Sequence, residues 1–303
     1  KDLAYYQINN DKKAIEKFFN SYSDQQVIVA MENTGRYNWS LYDAIADFHF
    51  KVYVLNPIHF SKSQGLARGK DDKTDSYRIA LFVEKYADEL PIWKPVTNTI
   101  KELKILLTER NARIKSKKRL LKQSHDYKKM KDLNFHKELK SWNKQQIKQL
   151  DNQIAKIEVL IEKIIQIDTQ LNKYYKLIQS IPGVGKITSW YMLAKTEGFT
   201  KISCPRKMAC YSGVVPFKHQ SGSSIFKKPK VSIYADKQMK SILHLAAMSA
   251  IRLKNDLQIY YKRKVEEGKN KMSVLNAVRN KIIHLIFAII KSNKKFENRL
   301  VSS

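Results

Sequence analysis

Acidic residues are scarce in this 303-residue chain: 28 Asp and Glu stand against 57 Lys and Arg, a formal net charge of +29. Such an excess repels itself unless a polyanion neutralises it, which leaves DNA, RNA or an anionic membrane surface as partners. Cysteine is nearly absent. Cys204 and Cys210 provide neither a disulfide framework nor a zinc set. Long apolar runs are missing too: the longest, Ile282 to Ile290, is interrupted by His284, short of the roughly 18 residues of a spanning helix. The opening Lys1-Asp2-Leu3-Ala4-Tyr5-Tyr6 lacks a signal-peptide apolar region. The expectation is a cytoplasmic protein, at the bacterial nucleoid when acting, with no membrane partner. An A+T-rich genome would explain the preference for Lys over Arg but not the shortage of acids. At 43% hydrophobic and 11% aromatic residues, the chain has material for real cores and is no disordered basic tail.

The first ninety residues alternate in type. Leu3–Ile8 reads as a strand and Asp11–Tyr22 as a helix with Ala14, Ile15, Phe18 and Phe19 on one face. Val27–Met31 reads as a buried strand, Tyr37–Phe48 as a helix, Lys51–Leu55 as a strand and Asp75–Ala87 as a helix. That order predicts an α/β domain with a partly parallel sheet. From Thr99 to Leu177 there is neither Gly nor Pro, and apolar residues recur every three or four positions. Two long helices in an antiparallel hairpin fit, with the break between Ser124 and Trp142. A spacer or dimerisation arm is the plain reading. The last third reads as mostly helical, with a polar Gly/Ser/Lys-rich interruption from Gly213 to Lys230 and an apolar-faced helix over Gln238–Leu253.

Three constellations carry candidate chemistry. Glu32 follows a buried apolar run, at the carboxyl end of a strand where open α/β sheets place their sites. Asp72 and Asp75 share a face at the start of a helix. Three convergent carboxylates would suit Mg²⁺, a hard ion, whereas the two aspartates also suit a helix start on dipole grounds alone. The second constellation is Ile181-Pro182-Gly183-Val184-Gly185-Lys186. It has the form of a helix-hairpin-helix turn whose backbone N–H groups face a phosphate, or of an ordinary turn. The third is Ser221-Gly222-Ser223-Ser224, followed by Lys227, Lys228 and Lys230: a solvated basic loop, or a serine nucleophile on phosphorus with basic residues to hold the backbone.

Taken together, Val27 to Gly35, Gly69 to Asp75, and Ile181–Gly185 through Tyr211–Pro216 to Gln220-Ser221-Gly222 resemble the DEDD-type insertion-sequence transposases of the IS110 class, which include Piv-type DNA invertases. The last block is the most specific, because order and spacing both agree, and the resemblance spans nearly the whole chain. It implies a RuvC-like, RNase H-type domain at 1–97, an antiparallel coiled coil at 98–178, and a mostly α-helical C-terminal transposase domain with a helix-hairpin-helix-like element at 179–303. It implies a carboxylate set of Glu32, Asp72 and Asp75 holding Mg²⁺, and Ser221 as a nucleophile forming a covalent phosphoserine link to DNA. It also implies a structured guide RNA, the bridge RNA encoded beside the gene. The family's first Asp lies on an earlier strand. Asp2 is not in the matching context, so the fourth carboxylate is expected outside these residues. Tyr234-Ala235-Asp236-Lys237 departs from the family's usual Gly-Asn at the middle pair, and Lys240 stands where Arg is usual. Small changes in nucleic-acid contacts are expected there.

The sequence reading is therefore an RNA-guided, Mg²⁺-dependent serine recombinase acting on double-stranded donor and target DNA as a homo-oligomer, dimer or tetramer. Gly183, Gly185, Lys186, Lys227, Lys228 and Lys230 are the expected nucleic-acid contacts. Ser223 and Ser224 remain rivals of Ser221. The competing functions are a RuvC-like nuclease using water and a non-catalytic nucleic-acid scaffold.

Overall fold

A computed structural model of the chain describes residues 4–65, 71–130, 134–221 and 225–298. It is mostly helical and divides into two compact units, 1–96 and 97–303.

The first unit is built on two parallel strands, β1 (Ile28–Glu32) and β2 (Lys51–Leu55), paired in register from Ile28 opposite Lys51 to Glu32 opposite Leu55. The crossover between them carries a 3-10 turn (Gly35–Asn38) and a helix, α2 (Trp39–Ile45). Helix α1 (Lys12–Asn20) precedes β1, capped by the Asp11 carboxylate on the Ala14 N–H. Helices α3 (Pro57–Ser63) and α4 (Asp72–Tyr86) follow β2. Side chains alternate across a strand, so the sheet buries both faces. Val29, Met31 and Val52 pack with Ile45 and Phe19 on one side. Ala30, Tyr53 and Leu55 pack with Phe60, Phe82 and Val83 on the other. The sheet is thinner than the sequence suggested: residues 4–8 form no strand, and Tyr5, Tyr6 and Ile8 are exposed. A strand needs a neighbour to satisfy its backbone, and no described strand pairs with that segment. The helix expected over Tyr37–Phe48 is shortened by the 3-10 entry.

The second unit begins with the long hairpin, α5 (Asn98–Tyr127) and α6 (His136–Ile167), which breaks within the expected interval from Ser124 to Trp142. Polar rungs fix its register. Arg110, 8% exposed, holds Glu158 at 2.8 Å, Arg113 donates to Gln153 at 2.9 Å, and Lys117 pairs with Asp151. The hairpin does not run unbroken to Leu177. Asp168 takes extended backbone angles and accepts the Leu171 N–H, starting a separate helix, α7 (Thr169–Gln179).

Helix α8 (Lys186–Thr196) is buried almost all round from Thr188 to Ala194. It is the central post of this unit, and truncating its fully buried Trp190 to Ala would cost about 3–5 kcal/mol. Around it stand α9 (Pro205–Tyr211), α10 (Lys237–Ala250), α11 (Asp256–Glu266) and α12 (Lys271–Ser292). By length and composition α12 is the one described helix apolar enough to cross a membrane, but half of its most apolar window is buried. Val278, Ile282, Ile283 and Ile286 are fully covered, which is the pattern of a core helix. The Gly213–Lys230 interruption contains an antiparallel ribbon, β3 (Phe217–Ser221) and β4 (Ile225–Lys230), with a bulge between Phe217 and His219.

Candidate nucleic-acid interface and carboxylate site

Glu32 is the last residue of β1. By alternation its Cβ shares a face with Ala30, which packs against the cluster that includes Phe82 and Val83 of α4. The strand carrying Glu32 and the helix carrying Asp72 and Asp75 thus meet on one side of the sheet. The turn after Glu32 is held by Asn38, which is 5% exposed. Its Nδ2 donates to the Glu32 carbonyl at 2.8 Å, and its Oδ1 accepts from the Thr34 N–H at 2.7 Å and the Thr34 hydroxyl at 2.6 Å. The Asn33 N–H continues the ladder onto the Leu55 carbonyl at 3.0 Å. Gly35 takes φ +73°, a left-handed angle that suits glycine.

At the start of α4 the capping role belongs to Asp71. Its carboxylate accepts the Thr74 N–H at 2.9 Å and the Thr74 hydroxyl at 2.5 Å. Those hydrogen bonds, the hydroxyl's first, hold its carboxyl below the ordinary range. Asp72 and Asp75 stand in the first turn without being needed as caps. Asp72 is exposed, and Asp75 makes a loose contact with Arg78 at 3.4 Å. Among the described residues no three His, Cys, Asp or Glu side chains gather tightly enough to form a ready metal cage. Each of the three carboxylates offers oxygen donors, but among the described residues they form no closed set. Gly69 and Lys70 lie outside the described residues.

In the second unit the Gly183–Gly185 turn joins α7 to α8. Gly183 has φ +81°, and a β-carbon on it would lie 2.4 Å from the Ala250 nitrogen, so its place is under the end of α10. Gly185 faces open space and sits at the N-cap of α8 with no side chain over the first turn. Lys186 is exposed, its ammonium 5.6 Å from the centre of the Trp190 ring. Among the described residues no side chain caps the first turn of α8, whose N-terminus lies beside the Lys186 cation; helix N-termini suit anions on dipole grounds.

Ser221 ends β3, opposite Ile225. Lys227 and Lys230 lie on the facing strand, opposite His219 and Phe217, with Lys228 between them. Gly222, Ser223 and Ser224 lie outside the described residues. The ribbon's foot is anchored on both sides. Before β3, the Val214 carbonyl accepts from Asn276 Nδ2 at 2.6 Å. After β4, Asp236 binds Lys195 at 2.8 Å and the Tyr211 hydroxyl at 3.0 Å while capping α10 through the Met239 N–H at 2.8 Å. Burial alone would raise the Asp236 carboxyl, but the Lys195 and Met239 hydrogen bonds outweigh it and hold it low. Burial alone would lower the Lys195 ammonium, but the hydrogen bond to Asp236 holds it high.

Sequence reasoning missed these supports: Asn38, the Lys195–Asp236–Tyr211 knot, and Asn276 with Arg279 and His244. The only signal for the last group was a polar residue breaking an otherwise apolar helical face.

Two family models match the chain. One, described as a transposase, covers residues 1–127, and the other, described as the IS116/IS110/IS902 transposase family, covers 175–262. The pilin gene-inverting proteins of Moraxella bovis and Moraxella lacunata are each 27% identical over 283 residues, spanning 92% of this chain and 84% of theirs. An insertion element IS110 43.6 kDa protein of Streptomyces coelicolor is 25% identical over 124 residues, 41% of this chain and 30% of that protein.

Proposed function

The chain is a transposase of the IS110 class, a DNA-recombining enzyme, and on that premise we propose that it cuts and rejoins DNA through a serine-linked intermediate under the guidance of a structured RNA. The observation that carries the reading is the placement of Ser221 at the end of a two-stranded ribbon, opposite a strand bearing Lys227, Lys228 and Lys230.

In this reading Ser221 Oγ attacks a backbone phosphorus. One phosphorus–oxygen ester bond forms and one breaks, and the departing DNA hydroxyl takes up the proton lost by the serine. The phosphoserine keeps the ester, so a second DNA hydroxyl can attack it, release the serine and reseal a strand without ATP. Lys227, Lys228 and Lys230 hold the phosphodiester backbone by charge. Gly185 and Lys186 hold a second stretch of backbone at the start of α8, while Gly183 sets the turn that presents them.

The DEDD class carries a divalent-metal dependence. We assign Mg²⁺ to it, an ion that Glu32, Asp72 and Asp75 would hold as hard oxygen donors. When bound, the ion supplies charge at phosphate oxygens and lowers the proton affinity of an attacking hydroxyl. Asn38 fixes the backbone of Glu32, and Asp71 spares Asp72 and Asp75 from capping. A RuvC-like fold for residues 1–97 accords with two parallel strands covered on both faces. The α5–α6 hairpin serves as the arm through which copies assemble into a dimer or tetramer.

The test incubates the protein with supercoiled DNA, Mg²⁺ and the RNA encoded beside its gene. Covalent protein–DNA adducts support the reading. Free nicks without adducts mean a nuclease using water, and a mobility shift without cleavage means a scaffold.

A further inference from the structure

Among the described residues, Arg279 of α12 is a buried cation without a carboxylate partner. It is 6% exposed, its Nε has no hydrogen-bond partner, and burial holds its guanidinium below its ordinary range with no acid opposing it. Uncompensated buried charge is costly, so its retention calls for an explanation. Its Nη2 lies 2.7 Å from Nδ1 of His244 on α10, and its Nη1 lies 3.4 Å from Oδ1 of Asn276. A guanidinium can only donate, so His244 Nδ1 is the acceptor and the imidazole proton sits on Nε2. Burial and the Arg279 charge both lower the His244 ring's affinity for a second proton.

The hydrogen bonds form a line. Asn276 donates to the Val214 carbonyl at the foot of the ribbon, Arg279 donates to Asn276, and Arg279 donates to His244. Lys240 stands one helical turn before His244, on the same face of α10. Its stem crosses the Gly213 turn, where a glycine β-carbon would lie 3.8 Å from Lys240 Cδ. Among the described residues Lys240 makes no ion pair, in contrast to Lys195. A half-buried ring with an N–H donor, a free ammonium and a fixed positive charge beneath them therefore meet where the ribbon leaves the helical body.

We propose that Lys240 and the His244 Nε2–H bind a backbone phosphate of duplex DNA at the foot of the serine ribbon, with Arg279 as the positioning residue beneath them. The inference rests on the DNA-recombining reading of the ribbon and names a contact that sets where the strand lies relative to it. Arg279 fixes the ring's tautomer and orientation, and its charge keeps the pocket positive without needing to reach the surface.

The test is equilibrium binding of the full chain to a fluorescein-labelled duplex of about 30 base pairs, without Mg²⁺ so that cleavage plays no part, from about 50 to about 300 mM salt. Lys240→Gln is expected to lower the slope of log affinity against log salt by about 0.9, the loss of one phosphate contact. Arg279→Met and His244→Phe are each expected to weaken binding by about three- to tenfold. Arg279→Met removes a buried cation but also leaves the His244 Nδ1 and Asn276 Oδ1 acceptors without their donor; the two effects oppose, so the melting temperature should change little while affinity falls. A residue that merely braced the fold would instead lower the melting temperature and leave DNA affinity alone. Wild-type affinity in both Arg279→Met and His244→Phe overturns the proposal, as does a loss confined to an RNA hairpin with duplex binding unchanged. If Arg279→Met does not fold, His244→Phe alone decides. Failure of the serine chemistry would appear as missing adducts with these binding effects intact, so the two failures are distinguishable.

Discussion

Gly183 lies directly beneath the backbone of Ala250: a β-carbon on the glycine would sit 2.4 Å from the Ala250 nitrogen and 2.7 Å from the Ala246 carbonyl oxygen. Backbone cannot step aside as a flexible side chain can. With φ at +81°, the position also strains any L side chain. Gly183→Ala is therefore expected to lose about 3 kcal/mol or more of stability, or to prevent folding of the second unit. Gly185→Ala, facing open space, should change stability by no more than about 0.5 kcal/mol. Denaturant melts of the two variants check the contrast.

A second prediction concerns the turn behind Glu32. Asn38→Leu keeps the volume but removes the donor to the Glu32 carbonyl and the acceptor for Thr34. The lost part-buried hydrogen bonds should cost about 1 kcal/mol. DNA cleavage should fall further than duplex binding, because the backbone of Glu32 is released. Cleavage at the wild-type rate in a folded Asn38→Leu protein would show that this clamp does not serve the chemistry.

The aspartates of α4 allow an internal control. Asp71→Asn keeps a good capping residue and should cleave DNA like the wild type. Glu32→Gln, Asp72→Asn and Asp75→Asn should each lower cleavage by about a hundredfold or more while leaving RNA binding nearly intact. Loss of cleavage in Asp71→Asn with full activity in Asp72→Asn and Asp75→Asn would reverse the assignment.

The Lys195–Asp236 pair makes a prediction about pH. The folded Asp236 carboxyl is held low, so its contribution is present above the unfolded carboxylate range and is lost as pH falls through the depressed folded value. The folded Lys195 ammonium is held high, so its contribution is present below the unfolded lysine range and is lost as pH rises through the raised folded value. The pair therefore supports the ribbon's foot across the neutral range. Asp236→Asn should lower the melting temperature at neutral pH and flatten its acid limb, as read by thermal melts over a pH series. An acid limb of unchanged steepness would mean that other carboxylates set it.

Much of the local structure was legible in the sequence. The run Val27–Met31 bounded by Glu32 gave a strand with its carboxylate at the end, and Lys51–Leu55 matched its strand without adjustment. The hairpin break, expected between Ser124 and Trp142, falls between Tyr127 and His136. Pairing was less legible. The apolar stretch at Leu3–Ile8 specifies a strand only when a neighbour is present, and the Gly/Ser/Lys-rich stretch from Gly213 to Lys230 read as a polar interruption, although Phe217–Ser221 pairs with Ile225–Lys230. The supports at the site were hidden for a different reason. Asp236 and Asn276 act through partners distant in sequence, Arg279 reaches His244 on another helix, and Asn38 closes a turn through its own side chain; no local sequence pattern marks a polar residue for such a role.

The central claim is that Ser221 becomes covalently joined to DNA. The most direct measurement is mass spectrometry of the protein after reaction with supercoiled DNA, Mg²⁺ and guide RNA, followed by nuclease digestion, on wild type and on Ser221→Ala, Ser223→Ala and Ser224→Ala. The account predicts a nucleotide remnant on Ser221 that disappears only in Ser221→Ala. A remnant on Ser223 or Ser224, or DNA cleavage with no remnant on any serine, would contradict it.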